Sequence, residues 1–255
     1  MMASERGMEG RTFLVTGASS GLGAHVARMA ARRGAKVALL ARRKEALARV
    51  VAEIGEKGGV ALAVAGDVAR EEDLIAAFDR IEAHFGSVNS VLVNAGMNRS
   101  GKVLDLGVED FDAVFAVNVR GAFLTAREAA RRMVAAGCAQ DGRIVLVSSI
   151  TAQTQGSGLV AYSASKAAVS HLGRLLANEW VRTGPNVNVI SPGYFASELA
   201  GDWFETEAGQ RQVTAMPRRR LMDEDALDTT LLHLLSAESR CITGADIRID
   251  DGQTL

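Results

Sequence analysis

Three residues define the chemistry this chain can be asked to perform: Ser149, Tyr162 and Lys166. Tyr162 and Lys166 lie four apart in a helical pattern, so they share one helix face. A phenol ordinarily ionises near pH ~10. An ammonium beside it favours the phenolate and lets the pair exchange a proton nearer neutral pH. Upstream, Ser149 follows the apolar run at 144–147 and adds a hydroxyl able to hold a reacting oxygen. The set suits proton exchange at a carbonyl or an alcohol. The Tyr-x-x-x-Lys spacing alone recurs by chance, as a helix tyrosine beside a surface lysine, so the rest of the chain has to decide.

Short apolar runs at 12–15, 36–40, 60–64, 90–93, 143–147, 187–190 and 247–249 read as seven strands. Helical patterns lie between them at about 21–33, 44–57, 71–85, 108–136, 162–183 and 223–237. Apolar rather than alternating strands, each followed by a helix, predict an α/β fold: a mostly parallel, doubly wound sheet covered on both faces. There is no composition break or internal repeat, so residues 1–255 are expected to form a single domain. Residues 1–9 are expected to be a disordered tail. The segment 197–220 has no clear period and is expected to be a helical substrate lid.

The carboxyl ends of these strands carry the remaining candidates. The first strand runs into Gly17, Ser19, Ser20, Gly21, Leu22 and Gly23 at the start of a helix, where glycines admit a tight turn and a helix N-terminus attracts phosphate. The spacing departs from Gly-x-Gly-x-x-Gly, and a purely structural turn is the alternative. After the second strand come Arg42 and Arg43, with no acidic residue to hold the ribose hydroxyls of NAD. Arg42 is therefore expected to pair with a 2′-phosphate, or else simply to open the next helix at the surface. Asp67 and Val68 follow the third strand, and Asn94, Ala95 and Gly96 the fourth. Asp67 is either a ligand contact or an early helix cap. Asn118, on an apolar stripe, is either a satisfied core amide or a bridge to the catalytic site.

Lys and Arg number 29 against 30 Asp and Glu, so there is no electrostatic footprint for nucleic acid. Cys138 and Cys241 have neither metal-ligand nor disulfide spacing, and no metal is expected. The amino terminus lacks a signal-like apolar core, and no apolar run reaches the ~20 residues that span a bilayer. The expected location is the cytoplasm, with no membrane partner.

Taken together, Thr16-Gly-x-x-x-Gly-x-Gly23, Asp67, Asn94-Ala-Gly96, Asn118, Ser149, Tyr162-x-x-x-Lys166 and Pro192-Gly193 resemble the short-chain dehydrogenase/reductase family over about 10–252. The resemblance implies a Rossmann-type sheet and an oxidoreductase that interconverts a ketone and a secondary alcohol. Tyr162 would be the general acid or base, with Lys166 lowering its pKa and binding the nicotinamide ribose. Ser149 would hold the substrate oxygen, and Asn118 a water leading to Lys166. Pro192, Gly193 and Ser197 would line the cofactor site, with NADP(H) preferred over NAD(H). A homodimer or homotetramer through the helices at 108–136 and 162–183 would follow. Gln153, Gln155, Ser157, Leu159, Tyr194, Phe195, Trp203 and Phe204 are the expected pocket wall. Within the family, the stretch after Pro192 is similar to gluconate 5-dehydrogenase-like and 3-oxoacyl-carrier-protein reductase-like members. Val93 departs from the usual asparagine, and Asp250-Asp251-Gly252 from Asp-Gly-Gly. A non-catalytic NADP(H)-sensing protein of the same fold is the alternative.

Overall fold

Apolar runs pair into one sheet because each can bury both of its faces. In the computed structural model, which describes residues 7–156 and 158–255, these strands are β1 (Thr12–Thr16), β2 (Lys36–Ala41), β3 (Val60–Ala65), β4 (Ser90–Val93), β5 (Arg143–Val147), β6 (Asn186–Pro192) and β7 (Asp246–Ile249). Among the described residues they pair in the order β3-β2-β1-β4-β5-β6-β7, every pair parallel. The order reverses between β1 and β4, which opens a crevice beyond their carboxyl ends, the usual ligand position of such sheets.

Residues alternate between the two faces of each strand. Phe13 and Val15 meet α1 (Gly21–Arg32), α2 (Lys44–Glu56) and α8 (Asp228–Leu235) through Val26, Leu47 and Leu231. Leu14 and Leu40 meet α3 (Glu71–Phe85), α5 (Gly121–Ala135) and α6 (Val160–Trp180) through Phe78, Met133 and Val169. Each such fully buried large side chain contributes about 1.5–3 kcal/mol over leaving it exposed. Val93 is part of this second core, so at that position the chain presents packing rather than a polar group.

The expected helix at 108–136 divides. It runs as α4 (Val108–Phe115), a wide π turn (Ala116–Arg120) and then α5. The apolar stripe continues through the turn, so periodicity did not reveal it. Gly121, just beyond, lets the backbone close on the loop after β3: a Cβ there would lie 2.8 Å from Val68 Cγ2. The last helical pattern is likewise a short 3-10 turn (Glu224–Leu227) followed by α8. The segment 197–220 contains a 3-10 turn (Trp203–Glu205) and α7 (Glu207–Ala215).

Residues 1–6 and Ser157 lie outside the described residues, but Met8 is fully buried in the first core and its N–H donates to Arg33 O at 3.1 Å. Met8 thus packs into the first core just ahead of β1.

Candidate active site

β5 ends at Val147, and the chain leaves it through Ser148 and Ser149. Ser148 Oγ donates to Lys166 O at 2.8 Å, pinning α6 against the end of the strand. Ser149 Oγ accepts from Thr151 N at 3.1 Å, which caps the short turn Ile150–Ala152 and fixes the hydroxyl. That hydroxyl is also hydrogen-bonded to the Tyr162 phenol. Lys166, buried on the same face of α6, donates from Nζ to Val147 O at 2.8 Å and stands 5.5 Å from the Tyr162 ring centroid.

The electrostatics differ from the expectation that Lys166 brings the phenol toward neutrality. Burial pushes Tyr162 up to about 12; the Ser149 bond pulls down against this, and nearby Tyr194 adds a small push upward. Burial also lowers Lys166 to about 8. Desolvation disfavours both charged forms and is the largest cause of both shifts. Tyr162 is only partly buried by solvent accessibility, so screening by solvent offsets some of that push. Near pH 7 the pair therefore rests as phenol and ammonium, with a proton ready to be donated.

Asn118 sits in the π turn, a feature that recurs at functional sites. Its Oδ1 accepts from Met97 N at 2.8 Å, and its Nδ2 donates to Met97 O at 3.0 Å and Ser165 Oγ at 2.9 Å. The amide is thus held by the loop after β4 and by Ser165 of α6. Gly96 lies between the groups: a Cβ there would be 3.4 Å from Lys166 Nζ and 3.6 Å from Asn118 Oδ1.

The β1 and β4 turns interlock at the crevice. Thr16 Oγ1 accepts from both Asn94 N and Ala95 N at 3.0 Å, while Asn94 Nδ2 donates to Thr16 O at 3.0 Å. Gly17 takes φ +67, and a Cβ there would lie 2.8 Å from Ala95 Cα. At Gly23 a Cβ would lie 2.5 Å from Gly17 O. These glycines let two turns and a helix start meet closely. Leu22 and Val68 point into the two cores, so only their backbones are available to a ligand. Ser20 caps α1 without a side-chain capping bond, because its hydroxyl is engaged by Arg43 at 2.7 Å.

Arg42 is exposed, with Nη1 3.9 Å from Asp67 Oδ2. Asp67 is not the cap of α3, which begins after Arg70; its Oδ1 instead accepts from Ala69 N at 2.9 Å. The acid and the arginine thus flank the β2–β3 edge of the crevice. The guanidinium and hydroxyl set around Ser19, Ser20 and Arg43 is a donor array suited to a phosphate.

Across β6, Gly193 allows the carboxyl-terminal tail to approach: a Cβ there would lie 2.6 Å from Gln253 Oε1. Gln253 brackets Tyr194, accepting from its N–H at 2.6 Å and donating to its carbonyl at 2.9 Å. Tyr194 packs edge-on against Phe204, and its hydroxyl bonds Gln212 of α7, which also accepts from Trp203 Nε1 at 2.9 Å. Ser197 is placed in a turn of its own, Oγ accepting from Ala200 N at 3.3 Å. Asp251 holds a left-handed φ of 50, which a glycine would adopt more readily, and its carboxylate is paired with Arg218 at 3.1 Å and Arg220 at 2.8 Å. The departure from Asp-Gly-Gly therefore ties the tail to the segment after α7.

Thr16, Ser148, Ser165 and Gly121 were not among the expected site residues. Of these only Thr16 carried a signal, as the first residue of the motif Thr16-Gly-x-x-x-Gly-x-Gly23. Thr16→Val keeps the shape but strands two part-buried N–H groups. It is expected to lower stability by about 1–3 kcal/mol, read as an earlier urea midpoint.

Comparison with known proteins gives consistent relatives. The sequence profile of the short chain dehydrogenase family matches residues 11–208. D-threitol dehydrogenase from Mycolicibacterium smegmatis is 33% identical over 248 residues, covering 97% of this chain and 94% of that protein. A 3-oxoacyl-[acyl-carrier-protein] reductase from Bos taurus is 35% identical over 241 residues, 94% and 97% of the two chains. The crystal structure of a gluconate 5-dehydrogenase from Burkholderia cenocepacia, in complex with NADP and tartrate, superposes with a TM-score of 0.91 at 29% identity, covering 98% of each chain.

Proposed function

The chain belongs to the short-chain dehydrogenase/reductase family of NAD(P)-dependent oxidoreductases, and from that premise we propose that it interconverts a ketone and a secondary alcohol using NADP(H) in preference to NAD(H). The observation that carries the reading is the convergence of Ser149, Tyr162 and Lys166 at the edge of the β1/β4 crevice, with Gly96 alongside Lys166 Nζ. The close-packed glycine turns and the Arg42/Arg43 edge fit a phosphorylated dinucleotide. A bound nicotinamide nucleotide supplies or accepts the hydride. Ser149 holds the substrate oxygen by hydrogen bond. Tyr162 gives that oxygen a proton in reduction and takes it back in oxidation. Lys166, cationic below about 8, steadies the phenolate that remains and binds the nicotinamide ribose. Asn118 would hold a water that links Lys166 to solvent.

Gly17, Ser19, Ser20, Gly21, Leu22 and Gly23 would line the nucleotide at the β1 turn, largely through backbone atoms. Asp67, Val68, Asn94, Ala95 and Gly96 complete that wall, with Pro192, Gly193 and Ser197 toward the nicotinamide end. Support for NADP(H) comes from the run Ala41-Arg42-Arg43, which offers two cations and no acid, and from the NADP complex of the gluconate 5-dehydrogenase neighbour. The substrate is a small carbonyl or alcohol compound; polar Gln153 and Gln155 with aromatic Tyr194 and Trp203 suit a hydroxylated one. We place the chain in the cytoplasm as a single domain with the segment 197–220 as its lid, and as a homodimer or homotetramer. Exposed Phe123 and Val134 on α5 and Leu175 on α6 are apolar surface that a second copy would cover.

Purified protein is expected to turn over NADPH with at least one member of a panel of sugar acids, polyol-derived ketones, β-keto thioesters and cyclic ketones. Arg42→Ala is expected to weaken NADPH by about tenfold or more relative to NADH, the value of one charge-assisted contact. Nucleotide binding without any turnover would point instead to a sensing protein. An unchanged preference in the variant would put the 2′-phosphate elsewhere.

A further inference from the structure

Arg43 is the N-cap residue of α2, at the edge of the crevice, and its guanidinium is fully engaged. Nη2 donates to Ser20 Oγ at 2.7 Å and to Ser19 Oγ at 3.0 Å, and Nε reaches Ser19 Oγ at 3.2 Å. The opposite edge of the fork holds a carboxylate from 155 residues away: Nη1 donates to Glu198 Oε1 at 2.7 Å and Nη2 to Oε2 at 2.9 Å. The Ser20 hydroxyl is bonded to the same carboxylate. Those bonds draw Glu198 down to about 2, so it stays an anion at any working pH.

A guanidinium fork and two hydroxyls beside a glycine-rich turn form a subsite for a tetrahedral or planar oxyanion, and arginine matches either by the same bidentate geometry. Here the oxyanion is internal. Both partners are about half exposed, at 51% and 58%, so water screens the pair and it is readily exchanged. A phosphate monoester brings nearly twice the charge and three acceptor oxygens. Glu198 also opens the segment that leads through Trp203–Glu205 into α7. Whatever occupies the subsite therefore decides whether that segment is tied to the nucleotide turn.

We propose that Glu198 competes with the 2′-phosphate of NADP(H) for the Arg43–Ser19–Ser20 cradle, so that entry of the phosphate expels Glu198 and releases the segment 197–220 from the nucleotide site. The inference rests on the NADP(H) reading and adds a residue that tunes it. NAD(H), with no phosphate at that position, leaves the Arg43–Glu198 pair in place.

The test is equilibrium binding of NADPH and of NADH to the full-length wild type, Glu198→Gln, Arg43→Ala and the double variant. Glu198→Gln keeps the shape and removes the charge. It is expected to shift the NADPH-to-NADH affinity ratio toward NADPH by about two- to fivefold, the range of an exposed ion pair. Adding Glu198→Gln to Arg43→Ala is expected to shift it no further. A ratio unmoved by Glu198→Gln, or moved toward NADH, overturns the competition. Wild type that favours NADH would overturn the NADP(H) reading separately, since the competition is read only as a change from whatever ratio wild type has. In the same preparations, amide exchange across 198–215 is expected to rise with adenosine 2′-phosphate and not with adenosine. Equal exchange with the two overturns the release.

Discussion

Lys166→Met is expected to lower kcat for ketone reduction by about a hundredfold or more and to remove the alkaline break in its pH profile. Methionine retains most of the unbranched apolar stem, so the packing around α6 survives. What is lost is the ammonium 5.5 Å from the Tyr162 ring and its bond to Val147 O. The stranded carbonyl costs about 1–3 kcal/mol of stability, which circular dichroism in urea would register while the fold persists. The sign of the pH effect follows from the lowered amine. Below about 8 Lys166 is cationic, and Tyr162, pushed up to about 12, holds its proton, so the donor and its countercharge are both in place. As pH rises through about 8 the countercharge is lost and the phenolate left by proton donation is no longer steadied. Reduction by the wild type should therefore fall above pH 8, whereas the variant's slower rate should show no break there. The oxidative direction, which needs the phenol to surrender its proton first, should gain with rising pH. A wild-type reductive profile flat to pH 10 would remove Lys166 from this role.

Strands were legible because buried parallel strands are written as continuous apolar runs, and β4 and β5 have the bounds that their sequences suggest. The crevice was legible because the residues marking it follow those runs directly. The missing parts depend on contacts between distant residues. Asn118 finds Met97 and Ser165, the latter 47 residues away, and the π turn that seats it leaves no mark on an apolar stripe. Arg43 was expected at the cofactor site and Glu198 was not, and their pairing exists only once β2 and the segment after β6 are folded to the same end of the sheet. The unusual Asp251 was visible as a departure, but the two arginines that hold its left-handed backbone were not. The direction of the Tyr162 shift was missed for a related reason. Sequence spacing reports that a cation is near but says nothing of how much water both groups have lost.

The proton-transfer role of Tyr162 is tested most directly by Tyr162→Phe, with nucleotide binding and turnover measured on one sample. Phenylalanine keeps the ring against Lys166 and removes only the hydroxyl that bonds Ser149. The chain has 2 tyrosines, so the remaining phenol, Tyr194, is the one available to substitute, and it is held by Gln212 on α7. The prediction is an NADPH affinity within about threefold of wild type, less than 1 kcal/mol, with kcat lower by about a hundred- to ten-thousandfold. Tight binding with near-wild-type turnover of any ketone would contradict it.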